Sequence, residues 1–147
     1  MTTKRKPVAK MTVRARRNSA TGRVTKVPTA AEIREGISFA YIETLQTNLA
    51  ASEQAILDVV KMSRTTLNRR KESGRLTHEE SDRAATLLRV YDKAVAYFEG
   101  DSDAATRWMK QPARAFTGET PLQHSDTATG AQEVIELLGR LEHGIPT

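Results

Sequence analysis

Of the eight polar side chains between residues 63 and 71, seven are interpreted as groups that bind DNA bases and phosphates. An arginine can hold a guanine edge with two hydrogen bonds, an asparagine can do the same with adenine, and a threonine methyl can touch thymine. Short Thr and Asn side chains flanked by Arg therefore predict contacts with base edges, while the remaining cations hold phosphates. The predicted DNA-binding residues are Ser63, Arg64, Thr65, Thr66, Asn68, Arg69 and Lys71.

These residues lie on the second of two short helices predicted between Ser52 and Gly74. The first helix has an apolar face that stops at Lys61. Ser63 is a typical N-cap, since its hydroxyl can accept a hydrogen bond from an unpaired backbone N–H of the next turn, and Leu67 faces inwards. This is the layout of a helix-turn-helix, whose second helix lies in the DNA major groove. The alternative is the solvated face of a basic amphipathic helix in a small helical protein.

The composition favours a soluble, all-α protein. The 147 residues suit one domain or two small ones with a tail, and 38% of them are apolar, with no run long enough to cross a bilayer. The absence of cysteine excludes disulfides and thiolate sites. No continuous apolar segment follows the basic N-terminus, so we expect a cytoplasmic protein without a membrane partner. No segment alternates at a period of two, which favours helices.

The positive charge is concentrated at the N-terminus. The net charge is +5, yet residues 1–31 hold nine Lys or Arg and no acid, so the rest has fourteen basic against eighteen acidic residues. Residues 1–28 have almost no large apolar side chains and cannot bury enough surface to offset the entropy of ordering. We expect a disordered basic arm, which either adds phosphate contacts beside the DNA-binding unit or serves only as a solubilising tail.

Capping and stop signals divide the remaining chain into helices. Capping boxes are predicted to begin at Thr29 and Thr77. Gly36 breaks the first helical pattern, and we expect a longer helix from Ile37 to Asn48. The second box opens the longest helix, which ends at about Glu99. Its regular apolar stripe predicts a core helix, although one edge could serve a dimer interface.

The C-terminal third has the opposite charge to the arm. It begins with a helix capped by Asp101 and closes with one over roughly Thr127–His143. Residues 112–147 hold two basic residues against five acidic ones, and such a segment would be repelled by DNA. We therefore expect a helix-turn-helix domain at residues 29–100 and a second domain at 101–147 that binds something else.

Four segments of this second domain carry ordered motifs. They are a Trp near a Pro (Trp108–Pro112), a Gly then Thr-Pro-Leu (Phe116–Leu122), an Asp-Thr pair before a Gly (Asp126–Ala131), and a closing helix that ends in a Gly (Leu137–Gly144). Together they resemble the C-terminal toxin-binding domain of Xre/MbcA/ParS antitoxins. The resemblance covers about residues 104–145, and an Xre-like helix-turn-helix upstream extends it to about Gly36.

The resemblance implies a type II antitoxin. Family members bind a toxin with a RES domain, an enzyme that degrades NAD, and their N-terminal domain is thought to repress the shared operon. A RES-domain toxin and operator DNA are therefore the implied partners. A homodimer within a larger toxin-antitoxin complex would read an inverted repeat, since two-fold dimers contact half-sites about one DNA turn apart. In some assemblies the helix-turn-helix could serve the dimer interface instead of DNA.

We expect the end of the last helix to bind the toxin. Such an end can present its last turn to a partner's cleft while its apolar stripe stays packed. We expect it to block the nucleotide-binding cleft, with Arg140 pairing to an acidic group or Glu142 to a basic one; otherwise the turn only caps the domain. The predicted toxin-binding residues are Arg140, Glu142, His143, Gly144 and Ile145.

No motif predicts catalysis, a cofactor or a metal. His78, His124 and His143 lack the i, i+4 spacing of a helical zinc site and are interpreted as surface or capping residues. Gly130 and Gly139 lie in a helical pattern and start no phosphate loop. We expect a protein that is not an enzyme and needs no cofactor. The alternative to an antitoxin is a stand-alone helix-turn-helix regulator whose C-terminal domain serves dimerisation or effector binding.

Overall fold

The computed structural model describes residues 26–144, and over this range the chain is helical without a β-strand, as predicted. The helices are α1 (Ala30–Glu35), α2 (Ala40–Leu49), α3 (Glu53–Val60), α4 (Arg64–Ser73), α5 (His78–Tyr97), α6 (Ser102–Met109), α7 (Pro121–His124) and α8 (Ala128–Glu142). A short 3-10 turn covers Arg114–Phe116. None of these helices is both long enough and apolar enough to span a membrane. The arm predicted at residues 1–28 lies outside the described range except for residues 26–28.

The predicted capping signals are confirmed. Thr29 and Thr77 each form a capping box with the glutamate three residues later, at the starts of α1 and α5. Ser63 accepts a hydrogen bond from the backbone N–H of Thr66 at 3.1 Å, at the start of α4. These caps satisfy donors that the first turn of a helix leaves without intrahelical partners. Local sequence therefore determines where these three helices begin.

Helix α2 begins at Ala40, later than the predicted Ile37. The backbone of Ile37 bonds to distant residues instead: its N–H donates to Ser81 Oγ, and its carbonyl accepts from the Leu76 N–H, both at 2.9 Å. Gly36 permits this approach, because it has a φ of +93° and a Cβ there would collide with the Leu76 carbonyl. Tertiary hydrogen bonds thus override the helical pattern at this point.

Helix α5 is the centre of the core. It contacts α1, α2, α3, α6 and α8, and side chains such as Leu87 and Val90 are 0% exposed. Full burial of a side chain of this size contributes about 1.5–3 kcal/mol. The helix ends at Tyr97, before the predicted Glu99, because Glu99 and Gly100 take positive φ values of 56° and 92°. Both halves of the chain therefore pack on one shared helix.

The C-terminal half holds the carboxyl ends of α2 and α3. Lys110 Nζ donates to the carbonyl of Ala50 at 2.8 Å, just after α2. Lys61, which caps the end of α3, pairs with Asp126 at 3.0 Å. Helix α6 also contacts α2, and α7 contacts α3. These contacts fix α3, the helix that directly precedes α4, relative to the C-terminal half.

Candidate DNA-binding and toxin-binding surfaces

Helix α4 and its cap carry all seven residues predicted to bind DNA. All of them are exposed except Thr66, which is half-buried. Leu67 is the buried side chain of this helix, at 2% exposure, and anchors it to the core. The structure therefore brings the predicted set together on one solvent-facing helix, and their contact with DNA stays a prediction.

A bidentate ion pair holds α4 against the start of α5. Arg70 Nε and Nη2 donate to Glu80 Oε1 and Oε2 at 2.7 and 3.1 Å. Oε1 also accepts from the backbone N–H of Thr77 at 2.9 Å. The capping box predicted this last bond, but no local pattern pointed to Arg70, which lies ten residues upstream of the carboxylate.

Glu80 is charged although it is only 7% exposed. Burial acts to raise the pKa of this carboxyl, but the bonds from Arg70 and Thr77 outweigh it and hold the pKa below its ordinary value. The hydrogen bond to Glu80 in turn raises the pKa of Arg70. An unpaired charge at this depth would be strongly unfavourable, so the pair fixes the orientation of α4 relative to α5.

Arg64, at the first position of α4, is held by the first turn of α3. Its Nη1 donates to the carboxylate of Glu53, and its Nη2 donates to Gln54 Oε1 at 3.2 Å. The Gln54 amide in turn donates to Asp58 Oδ1 at 2.8 Å. A residue predicted to read a base is therefore engaged within the free protein. No sequence pattern predicted these partners, which lie ten and eleven residues upstream.

Two cations on α4 differ from Arg64 in having no acidic partner among the residues that the structure describes. Arg69 and Lys71 are exposed and form no ion pair with any of residues 26–144. Within this range the side chain of Arg69 forms one hydrogen bond, a long one of 3.5 Å from Nη2 to Thr66 Oγ1. Cations of this kind can bind phosphates without breaking an existing ion pair.

Four of the five residues predicted to bind the toxin lie at the exposed end of α8, and the fifth, Ile145, lies outside the described residues. The four are Arg140, Glu142, His143 and Gly144. Glu142 pairs with Lys93 of α5 at 3.5 Å, and both side chains are partly exposed. Arg140 forms no ion pair with the part of the chain that the structure describes.

An ion-pair cluster joins α7 to α8. His124 bonds through Nδ1 to Glu119 at 2.8 Å and through Nε2 to Glu133 at 2.7 Å, and its ring stacks on Phe116 with centroids 4.1 Å apart. The bond to Glu119 raises the pKa of His124, burial opposes it, and Glu133 raises it further. The sequence interpretation of His124 missed both carboxylates. Among the described residues, no three potential metal ligands form a group that could hold an ion.

Two domain families match successive parts of the chain, and each part contains one of the two candidate surfaces. The antitoxin Xre-like helix-turn-helix domain matches residues 28–89, which include α4. The antitoxin Xre/MbcA/ParS C-terminal toxin-binding domain matches residues 93–144, which include α8. The first matched range ends and the second begins within α5, the helix on which both halves pack.

Relatives named Antitoxin Xre are similar to most of the chain. The protein of Photorhabdus laumondii subsp. laumondii is 37% identical over 114 residues, which cover 77% of each chain. That of Yersinia enterocolitica serotype O:8 is 39% identical with the same coverage, and that of Pseudomonas putida is 35% identical over 81 residues, 55% of this chain and 50% of the relative. Since both domains match in order and relatives match over most of the chain, the protein belongs to the Xre antitoxin family, and is a non-enzymatic antitoxin with a helix-turn-helix domain and a toxin-binding domain.

Proposed function

We propose that the protein neutralises a RES-domain toxin that degrades NAD and represses its own operon as a homodimer, as a type II antitoxin in the cytoplasm. The observation that carries this proposal is the pair of exposed surfaces on one core: the polar face of α4 and the last turn of α8. The first has side chains suited to DNA, and the second has groups suited to a protein cleft. A protein that links a toxin to its operator needs both.

Toxin neutralisation rests on the last turn of α8. Arg140 has no ion pair among residues 26–144, so an acidic group of the toxin can pair with it without competition. Glu142 would exchange Lys93 for a cation of the toxin. A partly exposed ion pair contributes only about 0–1 kcal/mol, so this exchange costs little. Occupation of the nucleotide-binding cleft by this turn would exclude NAD sterically, without chemistry by the antitoxin.

Operator binding rests on the exposed residues of α4. Thr65 and Asn68 are short side chains in the first half of the helix, and the N-terminal residues of this helix reach base edges in a helix-turn-helix. Arg69 and Lys71 supply cations for phosphates. Two copies of α4 in a homodimer would contact half-sites about one DNA turn apart, so the expected operator is an inverted repeat.

Co-expression with the product of the adjacent gene tests the toxin half. Tagged antitoxin is purified, and NAD consumption by the captured partner is measured with and without this chain. We expect a stable complex in which NAD loss stops, and weaker neutralisation by a chain that lacks residues 144–147. Gln132→Ala, on the exposed side of α8, is the matched control and should neutralise fully. Full protection by the truncated chain would exclude Gly144 and Ile145 from toxin binding and count against the proposed role of this end, and a protein that retains only DNA would favour the stand-alone regulator.

Binding to the DNA upstream of the gene tests the operator half. Asn68→Ala should cost about 1–3 kcal/mol and relax the preference at one operator position. Lys71→Ala should instead weaken binding equally on operator and random DNA, and lower the salt dependence by about one phosphate contact. Equal losses on both DNAs for Asn68→Ala would make it a phosphate contact.

A further inference from the structure

We propose that Glu53 is a specificity-determining residue of the helix-turn-helix, because it holds Arg64 in place and limits its attraction to DNA of random sequence. Glu53, Gln54, Asp58 and Arg64 are together named the Arg64 latch. The latch rests on the operator binding proposed above, and it adds a residue of α3 to the residues of α4 that decide which DNA is bound.

The latch holds the guanidinium at two nitrogen atoms. Arg64 Nη1 donates to the Glu53 carboxylate, and Nη2 donates to Gln54 Oε1 at 3.2 Å. Gln54 Nε2 donates to Asp58 Oδ1 at 2.8 Å, one turn further along α3. Because the donor and acceptor ends of the Gln54 amide are both used, its oxygen is directed towards Arg64. Three side chains of α3 thus position one side chain of α4.

The latched guanidinium keeps donors for a base. Arginine has five N–H groups, of which the latch uses two, and a bidentate contact with guanine O6 and N7 needs two. The Arg64 side chain is 58% exposed, so the remaining donors reach solvent. A fixed guanidinium loses less freedom when it binds a matching base. A released one could turn to whichever phosphate is nearest.

Glu53 also removes one cation from the sequence-independent attraction to DNA. The affinity for random DNA grows with the number of phosphates that Lys and Arg neutralise. Arg69 and Lys71 carry no acidic partner within residues 26–144 and contribute in full, whereas the charge of Arg64 is compensated by Glu53. The latch therefore lowers random binding while it keeps Arg64 available to a base, so the ratio of operator to random affinity rises.

Fluorescence anisotropy with the full-length chain tests the latch on two labelled duplexes of equal length. One is the DNA upstream of the gene, and the other has a random sequence. Glu53→Gln is compared with Glu72→Gln, which removes one exposed negative charge from α4 without touching Arg64. We expect Glu53→Gln to bind random DNA about five-fold more tightly than Glu72→Gln, with a salt slope steeper by about 1. It should also lower the operator-to-random ratio, and circular dichroism checks that each variant is folded.

The same pair of substitutions in an Arg64→Ala background isolates the contact. Without the guanidinium, Glu53→Gln and Glu72→Gln should change binding equally, since the coupling between positions 53 and 64 is gone. Equal effects already in the native background would overturn the latch and leave operator binding intact. A native chain that does not distinguish the upstream DNA from random DNA would contradict operator binding, and the latch with it.

Discussion

Helices α4 and α8 carry the two proposed binding surfaces, and they are held in opposite ways. Helix α8 has a buried stripe formed by Gly130, Ala131, Val134, Leu137 and Leu138, and it packs on α5. Helix α4 buries Leu67 and is otherwise tied by polar contacts, from Arg64 to α3 and from Arg70 to Glu80. Apolar burial is non-directional and large, whereas the polar contacts fix an orientation. Substitutions in α8 should therefore change stability most, and those around α4 should change DNA binding more than stability.

Leu138→Ala is expected to have the largest effect, because it cuts the apolar attachment of α8. The side chain is 0% exposed. Its truncation loses transfer free energy and leaves a cavity, which lowers the free energy of unfolding by about 2–5 kcal/mol. Urea unfolding should show a lower midpoint at an unchanged slope. Gln132→Ala, on the exposed side of the same helix, should stay within about 0.5 kcal/mol of the native chain. A loss of less than about 1 kcal/mol for Leu138→Ala would contradict attachment through the stripe.

Glu80→Gln should have the next largest effect on stability and a larger one on DNA binding. The amide can still accept the Thr77 bond but cannot compensate the charge of Arg70, so we expect a loss of about 1–3 kcal/mol. Operator affinity should fall further than it does for Glu79→Gln, the adjacent exposed carboxylate. Equal operator affinity in the two variants would mean that the Arg70 pair does not orient α4.

The dependence of the free energy of unfolding on acidic pH provides a second test of the role of Glu80. Because its pKa is lowered in the folded state, its contribution is present above the ordinary carboxyl pKa of about 4.3. That contribution is lost as the pH falls through the folded-state pKa. Urea unfolding between about pH 3 and 6 should therefore show a shallower acid loss in Glu80→Gln than in the native chain.

His124 forms a charged contact with Glu133 of α8, and it should affect the stability of the fold at a higher pH than Glu80 does. Its pKa is raised by Glu119 and Glu133, so its contribution is fully present below about pH 6.5, the ordinary histidine value. It is lost as the pH rises through the folded-state pKa. As the pH rises above about 6.5, the free energy of unfolding should fall in the native chain, and it should fall less in His124→Gln. The same slope in the native chain and in His124→Gln would exclude the cluster.

Signals within a few residues explain what the sequence could predict. Ser63 and Thr77 start helices through bonds to their own first turns, and the 3.6-residue period places the polar residues of α4 and α8 on exposed faces. The sequence analysis missed the ion-pair partners of Arg64 and Arg70, because Glu53 and Glu80 come close to these arginines only once the helices are packed. A local pattern does not contain the relative placement of helices. The helical placement and the exposure of these residues were therefore predictable, and the contacts that orient the helices were not.

Lys61 lies at the contact between the two halves of the chain, and its substitution should have the smallest effect on the free energy of unfolding. Its ion pair with Asp126 is about half exposed and contributes about 0.2–1 kcal/mol. Its backbone has a φ of +58°, a left-handed conformation that costs a residue other than glycine about 1–2 kcal/mol. Lys61→Ala loses the pair and keeps the strain, so it should be slightly less stable than the native chain.

Lys61→Gly loses the same pair but relieves the strain. Glycine costs about 0.5–1 kcal/mol more backbone entropy on folding, so we expect it to unfold at a urea midpoint at or just above that of Lys61→Ala. Asp126→Ala measures the loss of the pair from its other side and should match Lys61→Ala. If Lys61→Gly is clearly less stable than Lys61→Ala, the end of α3 is not held in the left-handed conformation. If Asp126→Ala leaves stability unchanged but alters DNA affinity, the pair orients α3 and α4 without stabilising the fold, as expected of the polar contacts around α4.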